Sequence, residues 1–335
     1  MSKRKFYFMI GGLVAVLVVG AYISIHLGNM RIPFSATTQV LNPFFTGVAD
    51  GDGETFKTII TEIRLPRILA ALLCGLALSI AGTCFQSMFR NPLVSPDLLG
   101  VLAGAAFGAS IGMLFCNSFV GAQVGAFIFG GLAVALAVIL AGFFPGNRLV
   151  MLIMGGVIST SLFTSLLSVI KYIADSQNKL PAIVYWLMGG FSSVSYDTLK
   201  ICGPIVLVCS AVLLLMSGYL NILSMGDDEA KSLGVNVSVV RGVIITLTTL
   251  ACASTVALGG MIGWVGLMIP HIARMITGPD NRQSLPVSAL IGAIYLILVD
   301  DLCRCGFGSE VPIGIITSLL GVPFFVFVTW KTGNK

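Results

Sequence analysis

Charge is what this sequence has least of. Of its 335 residues only 10% are Asp, Glu, Lys or Arg, while 56% are hydrophobic; soluble domains carry about 25% charged residues. A chain of this composition cannot cover an apolar core with a polar skin. Water-soluble enzymes, nucleic-acid-binding domains and disordered tails are therefore excluded, and a polytopic membrane protein remains. Histidine is scarcer still. His26 and His271 are the only two, too few and too far apart for the clustered acid–base groups of a membrane-embedded enzyme, so no catalytic residue is assigned. The eight cysteines are dispersed through apolar runs and read as small buried residues rather than a disulfide framework. Cys303 and Cys305 have no neighbouring His or second Cys pair in sequence, so no metal site is assigned to them. No G-x-x-x-x-G-K-[ST] phosphate loop occurs either.

What is present is long apolar runs and glycine. Crossing the hydrocarbon core takes about 20 apolar residues, and such runs fall at about 6–27, 68–89, 98–116, 119–142, 149–170, 201–220, 242–260, 262–276, 285–299 and 311–330. Ten spans form a single all-α membrane domain over 1–335, with both termini on one face. The first run is too long for a signal-peptide core and is read as a retained span. The expected inner segments carry eleven of the nineteen basic residues and the outer ones eight, mostly in the two long loops 28–67 and 171–200, so both termini are expected to be cytoplasmic. The main inner loop is 221–241. Pro92, Pro270 and Pro279 are expected to break their segments.

The spans themselves lack ionisable residues at their centres; Lys171, Asp300 and Asp301 lie at span ends. Proton relays and ion ligands are built from such residues, so a secondary transporter or channel, the alternative of a different class, has no visible ion site. With no nucleotide motif as well, uphill transport would need energy from another polypeptide. Glycines number 39, about 12% against a usual share of about 7%. Gly100, Gly104, Gly108 and Gly112 recur every four residues and are expected to form one smooth packing face.

Three loop features stand out. Arg64-Leu65-Pro66-Arg67 opens the second span, and Arg90-Asn91-Pro92-Leu93-Val94-Ser95-Pro96-Asp97-Leu98-Leu99-Gly100 follows it. Gly226-Asp227-Asp228-Glu229-Ala230-Lys231-Ser232-Leu233-Gly234-Val235 occupies the inner loop. It reads as a short polar helix with carboxylates in its first turn, where the helix dipole favours them, and closed by Gly234. The third is Gly263-Trp264-Val265-Gly266-Leu267-Met268-Ile269-Pro270-His271-Ile272-Ala273-Arg274, then Gly278-Pro279-Asp280-Asn281-Arg282. With the closing Glu310-Val311-Pro312-Ile313-Gly314-Ile315, these resemble, in order and over nearly the whole chain, the permease subunit of the iron-chelate and cobalamin uptake family of ABC transporters.

That resemblance implies a type II importer permease acting as a homodimer in the cytoplasmic membrane. Its partners would be two ATP-binding subunits inside and one substrate-binding protein outside, besides membrane lipid and without nucleic acid. No cofactor is bound by this subunit; ATP and Mg are used by the partner ATPase. The 226–234 helix would couple to the ATPase through Asp227, Asp228, Glu229, Ala230, Leu233 and Gly234. Arg64, Arg67 and Arg304, which from the residues alone read equally as snorkelling side chains, would receive glutamates of the binding protein. The spans at 149–170 and 311–330 would line the pathway. The cargo would be an iron chelate (siderophore or haem) or cobalamin, with molybdate or tungstate as the alternative.

Overall fold

The computed structural model describes residues 2–28, 53–116, 119–306 and 309–333, with Met30, Ile32, Pro33, Phe34, Thr37 and Val40 between the first two stretches. Every expected apolar run is helical: α1 Lys3–His26, α3 Leu65–Phe89, α4 Val101–Phe115, α5 Phe119–Phe143, α6 Arg148–Ile173, α8 Tyr196–Leu215, α11 Val237–Gly259, α12 Val265–Thr277, α13 Asn281–Cys305 and α14 Ile313–Gly333. Seven are long and apolar enough to cross a membrane; α4, α12 and the fully described part of α14 are apolar but shorter. Among the described residues there is no strand. The outer loop expected at 28–67 yields α2, Gly53–Thr58, which runs through one π turn, Ile59–Arg64, straight into α3; residues 41–52 of that loop lie outside the described residues. The loop at 171–200 holds α7, Lys179–Leu187, with Ile183 and Leu187 buried.

The core forms around α3, which is buried along most of its length, whereas α1 is scarcely covered. Small residues allow this. A Cβ on Gly75 would lie 2.1 Å from the carbonyl oxygen of Gly292, and one on Gly82 would lie 1.8 Å from that of Gly266. Where the backbones of α3 and α13 touch, hydroxyls join them: Thr83 donates to Ser288 at 3.1 Å and Ser288 to the Ser79 carbonyl at 3.3 Å. The expected glycine face is real for three of its four members. Gly104, Gly108 and Gly112 meet the backbone of Phe129, Gly125 and Gly121 on antiparallel α5, with hypothetical Cβ distances of 2.0–2.3 Å. Gly100 belongs elsewhere: its φ of +82° ends the 3-10 turn Pro96–Leu99 and starts α4.

Two helices begin partway through the fold. The Gly100 backbone faces Thr160, the middle of α6, and Gly266 at the start of α12 faces Leu78, the middle of α3. From this level α4 runs toward the end that holds Arg67 and Arg304 and α12 toward the end that holds residues 227–232; following the sequence expectation, these ends are called outer and inner. Residues 260–264, between α11 and α12, are non-helical and include Gly260 at φ +68° and Trp264 at φ +69°. Pro270 does not break its segment as expected; it sits inside α12. A proline there frees the carbonyl four residues back, at Gly266. Gln86 of α3 supplies the missing donor, its Nε2 reaching the Gly266 oxygen at 3.5 Å and that of Leu267 at 3.2 Å. Pro92 and Pro279 do lie in turns.

The inner loop at 221–241 is mainly helical. It contains the end of α9, Ser217–Met225, the short α10, Asp227–Ser232, and the first turn of α11. At the opposite end, the residues after α7 cap α14: Ile313 N–H donates to the Gly189 carbonyl and Gly314 N–H to that of Met188, both at 3.0 Å. Two of the donors that a helix N-terminus leaves unpaired are thus satisfied by one tight turn.

Candidate functional site

At the inner face, α10 forms where Gly226, at φ +137°, turns the chain out of α9 and Gly234, at φ +79°, ends it. Gly234 N–H returns to the Lys231 carbonyl at 2.9 Å and Val235 N–H to that of Ala230 at 3.0 Å, a glycine-terminated C-cap. The three first-turn carboxylates then diverge. Asp227 turns inward and pairs with Arg241 Nη2 at 2.8 Å, in a bridge whose arginine is 3% exposed. Asp228 and Glu229 are exposed, as are Leu233, at 59%, and Met225 at the end of α9. Ala230 is fully buried. It therefore cannot belong to a contact face, and Asp227 is committed to α11. The outward patch is Met225, Asp228, Glu229, Ser232, Leu233 and Gly234, acidic with an apolar centre.

At the outer face the three arginines expected to meet a binding protein are engaged with groups of their own chain. Arg64 is 4% exposed, and its guanidinium donates to the carbonyls of Ile25, at 2.5 Å, and Met30. Arg67 is 6% exposed; its Nε donates to both oxygens of Asp300 at 2.9 Å, and its Nη2 lies 2.8 Å from Asp300 and 2.5 Å from Glu310. Arg304 pairs with Asp301 and Asp300 and donates to the Ser24 hydroxyl at 2.8 Å. Ser24 in turn donates to Asp301 at 2.6 Å. The network ties α1, α3 and α13 to the residue that leads into α14. Buried guanidinium groups are retained only where carboxylates and carbonyls satisfy them, and here those acceptors stand up to 280 residues away in sequence. Cys303 is buried beneath this network and Cys305 is exposed.

Between the two faces lies a cavity of about 280 Å³ lined by Asp97 together with Leu78, Cys252, Gly263, Trp264 and Leu102. Leu78 and Cys252 lie inside α3 and α11, so Asp97 is at the level where α4 and α12 begin. Its Oδ1 accepts the Leu102 N–H at 3.3 Å, within the first turn of α4. The N-termini of the two half-helices open on this one cavity, and Asp97 supplies the first turn of α4 with the negative charge that such termini favour. In sequence Asp97 reads as a loop residue. The 3-10 turn Pro96–Leu99 before α4 was the available signal, because a carboxylate two residues into a short turn ending at glycine is a cap.

The two helices expected to line a pathway, α6 and α14, are among the less covered elements. α6 leaves Met154, Val157, Ile158 and Leu162 exposed, and α14 leaves Leu319, Val322 and Val326. Three hydroxyls on the open side of α6 already donate to their own helix: Ser161 to Val157, Ser165 to Ser161 and Ser168 to Thr164, at 2.8–3.0 Å.

The fold defines a class: an all-helical, multi-pass membrane protein with two half-helices meeting inside it and a short acidic helix at one end. Comparison with known proteins supplies the rest. The model of the FecCD transport family matches residues 16–331. The molybdate import system permease protein MolB of Haemophilus influenzae is 39% identical, over 96% of this chain and 94% of its own length. The hemin transport system permease protein HmuU of Yersinia pestis is 33% identical over 96% and 94%. A solved inward-facing structure assigned to a metal-chelate type ABC transporter superposes with a TM-score of 0.86 at 38% identity, covering 96% of this chain and 99% of that one. The chain belongs to the FecCD transport family, the permease subunits of ABC transporters.

Proposed function

We propose that this permease, as a homodimer in the cytoplasmic membrane with both termini inside, imports a metal chelate (a siderophore-bound iron, haem or cobalamin) received from an extracytoplasmic binding protein. Two ATP-binding subunits dock on the α10 patch and drive the cycle; ATP and Mg belong to them. One observation carries the choice of cargo. Between Arg148 and Lys171 the open face of α6 is uncharged, and the hydroxyls of Ser161, Ser165 and Ser168 donate to backbone carbonyls, so the middle of the helix has few donors for an anion. Such a surface suits a large neutral or internally neutralised ligand passed on without tight binding. The permease would then contribute little to specificity. Uptake of radiolabelled ferric siderophore, haem or cobalamin into proteoliposomes holding the full complex, with the loaded binding protein outside and ATP inside, tests this. ATP-dependent accumulation of one of the three is the expected result; accumulation of none would refute it.

Molybdate or tungstate is the second reading, favoured by the 39% identity to MolB. Calorimetric titration of the cognate binding protein with each cargo separates the two, because an oxyanion site and a chelate site do not share ligands.

A further inference from the structure

The inner ends of α5, α6 and α11 enclose a small pocket, about 150 Å³, that the transport reading does not use. Its mouth is lined by Arg148, Ser238 and Arg241, the first, second and fifth residues of their helices. Arg148 Nη1 donates to the Ser238 hydroxyl at 3.2 Å. Arg241 is 3% exposed and uses one nitrogen on Asp227, while its buried Nε has no hydrogen-bond partner. A buried guanidinium N–H left without an acceptor is costly, and here it belongs to a side chain that lines an open cavity. One to two turns deeper the lining becomes apolar, with Val138, Leu152 and Ile245. Gly142 and Gly242 flank it with nothing within 4 Å of where a Cβ would stand.

The division is that of a phospholipid: cationic donors at the level of the helix ends, and an apolar slot running into the membrane. Two arginines against a single carboxylate, Asp227, which pairs with Arg241, leave net positive charge at the mouth. We infer that this pocket is a binding site for an anionic phospholipid, its phosphate held by Arg148 and Arg241 and an acyl chain lying along Val138, Leu152 and Ile245. Basic pockets between helix ends on the cytoplasmic side are suited to such headgroups. Because Arg241 also holds Asp227 of α10, an occupied site would stiffen the connection between that helix and α11. The inference needs only that the chain spans a membrane, so it stands or falls apart from the identity of the cargo.

The test uses the full-length chain reconstituted in nanodiscs of equal phosphatidylglycerol and phosphatidylcholine, followed by native mass spectrometry of the lipids retained in detergent. Wild type should retain phosphatidylglycerol selectively. Arg148→Gln should reduce that selectivity about fivefold, the effect of one basic residue at the membrane surface, and Arg148→Lys should largely restore it. Gly242→Leu, which adds a side chain into open space while leaving every charge in place, should displace the lipid with no loss of thermal stability in phosphatidylcholine. Unchanged selectivity in both Arg148→Gln and Gly242→Leu would overturn the proposal. So would displacement of phosphatidylglycerol by millimolar inorganic phosphate, which would make this a small-anion site. Efficient cross-linking of Ser238→Cys between two copies would also overturn it, because the pocket would then be covered by protein.

Discussion

The outer and inner ends of this molecule treat scarce charge in opposite ways. At the outer end Arg64 and Arg67 are buried and Arg304 is half-buried, and they pair with Asp300, Asp301, Glu310 and backbone carbonyls. At the inner end Asp228 and Glu229 project from a six-residue helix, and Asp228 has only a loose, exposed contact with Lys231 at 3.4 Å. Both groups look alike in sequence: a few charges at span ends, in positions where partners bind in similar permeases. The structure separates them by whether a complementary group lies inside the same chain. Internally satisfied charge fixes architecture, whereas charge left facing solvent on a rigid support is available to a partner. Counting charges by face therefore locates the membrane boundaries but does not identify docking sites.

The sharpest way to break this contrast is at Asp300. It is about 1% exposed, accepts hydrogen bonds from Arg67 and forms an ion pair with Arg304. Removing one member of a buried pair leaves an uncompensated charge and costs about 3–5 kcal/mol. Asp300→Asn should lower the thermal midpoint of the purified chain by more than substitutions in α10 or at the packed glycines. Arg67→Met combined with Asp300→Leu should recover part of the loss. If Asp300→Asn were as stable as wild type while binding-protein affinity collapsed, the outer arginines would be docking groups after all.

The reciprocal experiment is at α10. Glu229→Lys with Leu233→Arg reverses a charge and replaces an exposed apolar centre without touching Ala230 or the Asp227–Arg241 bridge. Surface changes of this kind stay within about 0.5 kcal/mol for folding, whereas loss of a central interface residue costs about 2 kcal/mol or more in binding. The thermal midpoint should hold while co-purification with the ATP-binding subunit falls at least about thirtyfold. Intact assembly would mean that the patch is only a solvated surface.

A smaller effect tests the packing that supports both ends. Gly108→Ala would place a Cβ 2.0 Å from the Gly125 carbonyl oxygen, and backbone cannot move aside as a side chain can. Overpacking should cost about 1–3 kcal/mol. Gly131→Ala on the neighbouring helix meets nothing within 4 Å and should be neutral or slightly stabilising through helix propensity. Equal behaviour of the two variants in a thermal melt would show that the α4–α5 contact is not close.

Local signals were legible and non-local ones were not. The apolar runs, the Gly104–Gly108–Gly112 face and the Gly226–Gly234 bounds of α10 all depend on residues within a few turns, so they can be located from sequence. The pairing of Arg67 with Asp300, the burial of Ala230 and the rescue of Pro270 by Gln86 depend on elements brought together from up to 233 residues apart. The depth of Asp97 is non-local in the same way. Its loop has ordinary turn chemistry, and only the packing of Gly100 on Thr160 and of Gly266 on Leu78 shows how deep it sits.

Within the inner face the contrast recurs on a smaller scale, between Asp228 and Asp280. Asp280 caps α13, accepting the Arg282 N–H at 3.0 Å, and also accepts from Asn221 Nδ2 at 2.7 Å. The Asn221 bond, with the Arg282 N–H bond beside it, holds its carboxyl below the usual carboxylate range. A carboxyl whose folded pKa is depressed contributes stability above its unfolded value of about 3.9, and that contribution is lost as pH falls through the lower folded value. Asp280→Ala should therefore cost about 1 kcal/mol at neutral pH, the usual effect of losing an N-cap. It should also flatten the acid side of the stability curve below about pH 4. Asp228→Ala removes a carboxylate whose one contact is the exposed Lys231 and should leave the stability at neutral pH within about 0.5 kcal/mol of wild type. If the two variants lost the same stability in a thermal melt at neutral pH, the carboxylates of this face would not divide into held and available groups.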